Sequence, residues 1–306
     1  MGTNTVVDAT RAALGPVGVF LPFSPTVAYH VDVQRDAARR LERAGYPAMW
    51  TNEAVGGKDA LVQLAILLAA TDRMVFGTSI ANIWARAPQT AHGAAALLTE
   101  AHPGRFVLGL GVGYPEQAES IGREFGSPLA TMRDYVDRMS APTQFAAPDV
   151  TYPLIVAANG PKMTALAGEI TDGAMPAMLP PEGTAQARQL LGPDKLLVVG
   201  LAVVPDSDHE RAKAVVRETV AARLGRPSAY RTSITRLGYS EQEIAEPSDR
   251  LVDAISAYGD PAAIAAKVAE HTAAGADHVV IMTVSGDFDT RVAQLEQLAP
   301  ALVNVA

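Results

Sequence analysis

A single closed (β/α)8 barrel of the TIM type is the fold this sequence predicts, and two observations carry the prediction. Short β-rich apolar runs alternate with alanine-rich helical stretches from one end of the chain to the other, the pattern of βα units around a parallel sheet. Eight such units fit into 306 residues, which suits a closed barrel better than an open sheet, since an open sheet of this size usually has fewer strands.

The elements follow in order. Strands are expected at 17–21, 48–52, 74–80 and 105–111, then at 154–158, 173–177, 196–204 and 278–284. The sixth is the least strand-like. Helices are expected at 30–44, 59–71, 88–101, 129–139, 162–171, 181–191, 206–224 and 288–303, because apolar residues recur there at spacings of three and four. Two segments break the repeat. Residues 141–152 are rich in Pro and Ala, and residues 225–274 hold further helices, one opened by Pro261 in its first turn after Gly259 and Asp260. The second segment is expected to be an insertion between strands seven and eight that partly covers the barrel mouth within a single domain spanning 1–306.

Composition removes several function classes. A net charge of -8 and a pI near 5.3 disfavour nucleic acid or an anionic membrane as the main partner. With no cysteine there is no disulfide, no thiolate chemistry and no cysteine-held metal or cluster. The first residues lack a signal-peptide pattern and no apolar run reaches the length of a membrane span, so a cytoplasmic protein is expected.

In a β/α barrel the loops after the strands form the active face and the loops before them serve stability. His102, Arg105, Asp172, Asp277 and His278 all lie before or at the start of strands, so the stability face is expected to hold them. His30 is expected to begin a helix. No convergent set of His and carboxylates suggests a metal, only Lys58 and Lys162 follow strands as a Schiff-base lysine would, and no serine triad is visible. The active face offers small residues, amides, hydroxyls and aromatics instead. That surface suits a flat ring with an anionic tail.

Two motifs refine this. Arg105 to Gly113, RFVLGLGVG, is a buried strand with a glycine-rich end, where either a ligand or a neighbouring strand can approach Gly111 and Gly113 closely. Ala157 to Met163, AANGPKM, puts Lys162 in the first turn of a helix, which is either a phosphate site or an ordinary helix start. In the insertion, Arg226, Tyr230, Arg231, Arg236 and Tyr239 either bind an anionic ligand over the mouth or belong to a solvated cover.

WTNE at 50–53, GTSIANIWAR at 77–86, PGRFVLGLGVG at 103–113, AANGPKM, and YGDPAAI followed by AGADHVV together resemble the luciferase-like family. The resemblance is strongest to its actinobacterial coenzyme F420-dependent branch and covers nearly the whole chain. It implies a homodimeric barrel with F420, or alternatively FMN, at the C-terminal ends of the strands. It also implies a non-prolyl cis peptide joining Ser79 and Ile80. By motif position Asn52 and Glu53 would meet the ring edge, and Thr78, Ser79 and Ile80 the ring face. Ala157, Ala158, Asn159, Gly160, Pro161 and Lys162 would hold the phosphate-bearing tail, with Trp84 and Arg86 on the substrate side. Glu53 and Tyr114 are the candidate acid or base groups.

Two departures bear on direction. Sugar-phosphate and alcohol dehydrogenases of this class have an acid and then an amide where Tyr114 and Gln117 stand, and a histidine where Glu53 stands. Reduction of a small organic substrate is therefore the expected activity. The alternatives are an FMN-dependent monooxygenase and a non-catalytic flavin or deazaflavin carrier.

Overall fold

In the computed structural model, which describes residues 5–303, ten strands and their helices build the expected barrel. The strands are β1 Val17–Phe20, β2 Ala48–Thr51, β3 Val75–Thr78, β4 Ala81–Asn82 and β5 Phe106–Gly111. They continue as β6 Leu154–Ala157, β7 Gly173–Met175, β8 Leu196–Pro205, β9 Ser256–Gly259 and β10 His278–Thr283. Eight of them pair in parallel and close the ring: β10 lies between β8 and β1, with Val279 opposite Val17 and also opposite Val199. The two-residue β4 pairs with the end of β5, and β9 pairs with the last residues of β8. No described helix is long and apolar enough to cross a membrane.

Alternation along the strands sends one set of side chains into the barrel and the other onto the helices. Phe20, Trp50, Val75, Val107, Ile155 and Val198 pack together inside, so the barrel is a filled core and not a pore. Trp50 fits because Gly77 faces it: a Cβ there would lie 2.2 Å from the indole.

An additional helix precedes the repeat. The helix Thr5–Leu14 contributes Val7 and Leu14 to the interior cluster and so plugs the N-terminal end of the barrel. Arg11 ties it to Asp277 at 2.8 Å, and Asp277 also takes Arg188 at 2.6 Å and the Leu197 N–H at 2.8 Å. Arg105 donates to the Met74 and Leu68 carbonyls, and Asp172 accepts from the Leu154 N–H. These are the stability-face roles expected of residues that precede strands.

His278 belongs to the same end. Trp50 Nε1 donates to its Nε2 at 3.0 Å, which leaves Nδ1 to donate to the Gly15 carbonyl at 2.7 Å. Complete burial pushes its pKa down to about 4, and burial does the same to His271, whose Nδ1 contacts the Thr184 hydroxyl at 2.9 Å. Both are neutral in the folded state but take up a proton near pH 6.5 when unfolded. Stability is therefore expected to fall as pH drops from about 6.5 to about 4, by on the order of 3 kcal/mol per histidine. Urea unfolding of wild type and H271L at pH 7 and pH 5 checks this, because the variant should lose about half of the pH dependence. Equal slopes would show that other groups cause it.

The segment after β8 corrects the expected insertion boundaries. The outer helix that packs beside β8 and β10, between helices Pro181–Leu191 and Phe288–Leu302, is Pro261–Ala273 and not His209–Leu224. Helix His209–Leu224 also touches β8 but does not pack on β10, and packs on β9 and on helices Ala229–Arg236, Glu241–Ala245 and Asp249–Ile255. Val216, Val220, Ile234, Ile244, Leu251 and Tyr258 give this group a small core of its own. The excursion thus runs from 206 to 260 and contains a strand. Both long helices have apolar residues at helical spacing, so sequence period alone could not say which one closes the ring.

Candidate functional site

A cavity of about 900 Å3 opens above the C-terminal ends of the strands, roofed on one side by the excursion. The strand ends supply Asn52, Ser79, Ile80, Gly111 and Ala157, the loops supply Tyr114 and Asn159, and a helix start supplies Lys162. Glu53, Gly113, Gly160 and Pro161 also reach it.

Past Thr78 the third strand bulges. The peptide bond joining Ser79 and Ile80 is cis, the Ser79 N–H donates to the Thr51 carbonyl at 2.7 Å, and the Ile80 carbonyl accepts from the Glu53 N–H at 3.0 Å. The Ile80 side chain lies over Gly111, where a Cβ would sit 2.5 Å from Ile80 Cγ1. Ile80 and the glycine strand thus form an apolar floor.

The glycines in and just after β5 are explained by packing. A Cβ on Gly109 would lie 2.0 Å from the Thr78 carbonyl oxygen, and one on Gly113, at φ +59, would meet Gln117 Oε1 at 2.1 Å. Gln117 Oε1 accepts from the Tyr114 N–H and from Asn82 Nδ2, both at 2.9 Å, which fixes the loop carrying Tyr114.

Glu53 is held by four donors. Its Oε1 takes the Ala60 N–H at 2.9 Å, its Oε2 takes the Asn82 N–H at 2.8 Å, and the Arg86 guanidinium binds both oxygens. Arg86 also reaches Asp59 Oδ2 at 2.8 Å. The Glu53 side chain is 1% exposed and that of Arg86 is 9% exposed. Burial disfavours the Arg86 charge, but its two carboxylate partners outweigh this and raise its pKa. Burial likewise opposes ionisation of Asp59, while Arg86 and the Val62 and Leu61 N–H groups hold it below its usual value. A carboxylate so fully engaged is a structural anion and a poor proton carrier.

Four other expected site residues sit behind the wall. Thr78 Oγ1 donates to the Gly109 carbonyl at 2.7 Å and accepts its N–H at 2.8 Å, stitching β3 to β5. Ala158 is buried in the outer core. Trp84 Nε1 donates to the Val112 carbonyl at 2.8 Å and its ring packs near Phe125, so it braces the loop after β5. Arg86 is committed to Glu53 and Asp59.

At the other end, helix Pro161–Ile170 begins at Gly160 with no side-chain cap. A Cβ at Gly160 would meet nothing within 4 Å. The first-turn N–H groups therefore face an open cradle beside the exposed Lys162, which has no ion-pair partner among the described residues.

The excursion supplies cavity residues that the motifs did not identify, chiefly Arg223 and Ser228. Phe23 and Phe125 complete an apolar wall; Phe23 lies just after β1, where the rule of barrel polarity points. Tyr230 reaches the cavity, as one reading of the insertion expected, and burial raises its pKa. Arg231 pairs with Glu241, Arg236 donates to Gln186 at 3.0 Å, and Tyr239 lies under the Arg250 guanidinium at 4.0 Å, so these three belong to the cover.

The sequence profile of the luciferase-like monooxygenase family matches residues 16–278. The chain belongs to that family. Among sequence relatives of this family member, a protein of Mycobacterium tuberculosis provisionally named a coenzyme F420-dependent oxidoreductase is 29% identical, over 80% of this chain and 89% of its own. An F420-dependent secondary alcohol dehydrogenase, solved with an F420-acetone adduct, superposes with a TM-score of 0.72 at 18% identity, covering 94% of this chain and 99% of that one. The oxygenating constituent of 3,6-diketocamphane monooxygenase from Pseudomonas putida, solved with FMN, gives 0.70 at 14% identity, covering 95% and 97%. The family match thus covers β1 to β9 and ends at the first residue of β10.

Proposed function

We propose that this luciferase-like protein is a coenzyme F420-dependent oxidoreductase that reduces a small organic substrate. The observation that carries the reading is one cavity with an apolar floor, Ile80 over Gly111, at one end and an uncapped helix start beside Lys162 at the other. A flat ring and a phosphate fit those two ends. The F420-dependent name of the mycobacterial relative supports the deazaflavin over FMN.

When bound, the deazaflavin supplies the hydride. The chain's own part is positional and protic. Ser79, Ile80 and Gly111 hold the ring floor, and Gly160, Lys162 and the Met163 N–H hold the phosphate. The Tyr114 hydroxyl, with no hydrogen bond among the described residues, is placed at the mouth to deliver the proton that accompanies hydride addition. Glu53 and Arg86 keep the bulge and the β4 backbone in place. A homodimer is part of the same reading and is supported by the exposed Val62 and Leu97 on neighbouring outer helices.

Fluorescence titration of the purified protein with F420 and with FMN tests the proposal. Binding of F420 at least about tenfold tighter than FMN is expected, followed by turnover of enones, imines or aldehydes with the reduced cofactor. Y114F should lower that turnover by about 100-fold while leaving F420 affinity unchanged. FMN binding with no response to F420 would favour the monooxygenase reading, and F420 binding with no turnover the carrier reading.

A further inference from the structure

A compound reduced by a ring on the floor of Ile80 and Gly111 has to lie directly against that ring, so the loops beside the floor decide what it can be. The strands stand in the order β1, β2, β3, β5, which puts the loop after β1 on one side of the bulge and the loop after β5 on the other. Each brings one half-buried phenyl ring to the cavity, Phe23 from the first and Phe125 from the second. Each ring packs near a second aromatic. Phe20 lies 5.7 Å from Phe23, and Trp84, which is tied to the Val112 carbonyl behind the cavity lining, lies 6.1 Å from Phe125. The backbone of Phe23 is held as well, because its carbonyl accepts from Arg291 at 3.0 Å. Val112 and Leu129 extend the apolar surface on the β5 side.

Charge is spread unevenly around the mouth. Among the described cavity residues carried by the loops after β1, β2, β3 and β5, Glu53 alone is charged, and Arg86 cancels it. The cations of the cavity are rooted elsewhere: Lys162 follows β6, and Arg223 comes from the excursion after β8. After β5, Gln117 is spent on Asn82 and the Tyr114 N–H, which leaves the hydroxyls of Tyr114 and of Ser127, the latter making no cap bond at the start of helix Pro128–Met139. Hydroxyls can donate to a carbonyl oxygen but cannot neutralise an ion. A carboxylate or phosphate held there would lose its water without gaining a counter-charge, whereas a flat apolar body gains from both rings. We propose that the compound reduced is an uncharged carbonyl compound with a flat apolar body, an aryl or cyclic enone, gripped by Phe23 and Phe125, and not a sugar phosphate or a carboxylic acid. This substrate class rests on the cofactor reading for where the reacting ring lies.

Benzalacetone, a neutral aryl enone, and its para-carboxylate are the two probes, used on the whole chain in two ways. Equilibrium dialysis measures binding of each to the protein with and without bound F420, and turnover with reduced F420 gives kcat and KM. Wild type is expected to favour the neutral probe by at least about 30-fold in both measurements. F125A should raise the KM and the dissociation constant of benzalacetone about tenfold, with a smaller effect on kcat and none on F420 affinity, and F23A should act in the same direction. The comparison of the two probes on wild type needs no variant to fold. A carboxylate bound or reduced as well as the neutral probe would show that Lys162 or Arg223 sets the specificity, and it overturns the proposal. Wild-type KM in both phenylalanine variants overturns it too, as does wild-type protein that binds neither probe in either state. Failure to bind F420 overturns the cofactor reading instead, and the preference measured on the ligand-free protein then decides the substrate class by itself.

Discussion

Replacing Gly160 by aspartate is expected to weaken binding of a phosphate-bearing cofactor by at least about 100-fold while leaving the fold as stable as wild type or slightly more so. The two effects separate because they act on different partners. Gly160 already has φ -116 and ψ 155, the extended geometry of a helix N-cap, and a Cβ there meets nothing within 4 Å. Aspartate is a better N-cap than glycine by a few tenths of a kcal/mol, since its carboxylate accepts the first-turn N–H groups. Those are the groups proposed to bind phosphate, and the new charge would face it. At about 4 Å and an effective dielectric near 20, such repulsion is about 4 kcal/mol per charge pair, enough for the loss even after screening. Titration with F420 and FMN and a thermal melt give both readouts. Unchanged affinity in a stable G160D would remove the phosphate from this end of the cavity.

R86A is expected to destabilise the protein by about 3–5 kcal/mol, because it leaves the Glu53 carboxylate buried with two backbone donors and no counter-charge. The loss should not be confined to stability. Glu53 ties together the Ala60 N–H that starts one helix and the Asn82 N–H beside the bulge, so cofactor affinity should fall as well. The double variant E53Q/R86M should recover most of the stability, since replacing a whole buried pair is tolerated better than breaking one. Chemical denaturation of the three proteins decides the matter. A cost below about 1 kcal/mol for R86A would mean that water replaces the guanidinium and that the pair does not anchor the site.

Much of the architecture was legible because the signals are local. A strand alternates every two residues and a helix every 3.6, so eight β runs and their helices can be read without knowing what they touch. Polarity then followed from chain direction alone, and it put Arg105, Asp172, Asp277 and His278 on the end where they now bind backbone groups and, for Asp277, the guanidinium of Arg188. Helix Thr5–Leu14 escaped because it precedes the repeat. The excursion boundaries are not legible in the sequence because helices His209–Leu224 and Pro261–Ala273 present the same period.

The candidate site divides in the same way. Residues that end a strand or directly follow one, such as Gly111 and Ala157 or Asn52 and Ser79, reach the cavity as chain direction dictates. The ties among them were not readable. Glu53 and Arg86 lie 33 positions apart, and that a buried guanidinium engages both carboxylate oxygens turns a candidate acid into a structural anion. Trp84, placed on the substrate side by the resemblance, donates its indole N–H to the Val112 carbonyl and stands outside the cavity lining. Arg223, in a segment that carries no motif, reaches the cavity only because the excursion folds back over the mouth.

By itself, then, the sequence determined the barrel, its polarity and the strand ends that face a ligand, since those depend on period and direction. Only the tertiary structure decided which charges are paired and which are left free: Glu53 and Arg86 cancel, while Lys162 and Arg223 face the cavity unpaired. The physical reason is range. Backbone periodicity is set by neighbours a few residues away, whereas the ionic character of a buried group is set by whatever distant segment packs against it.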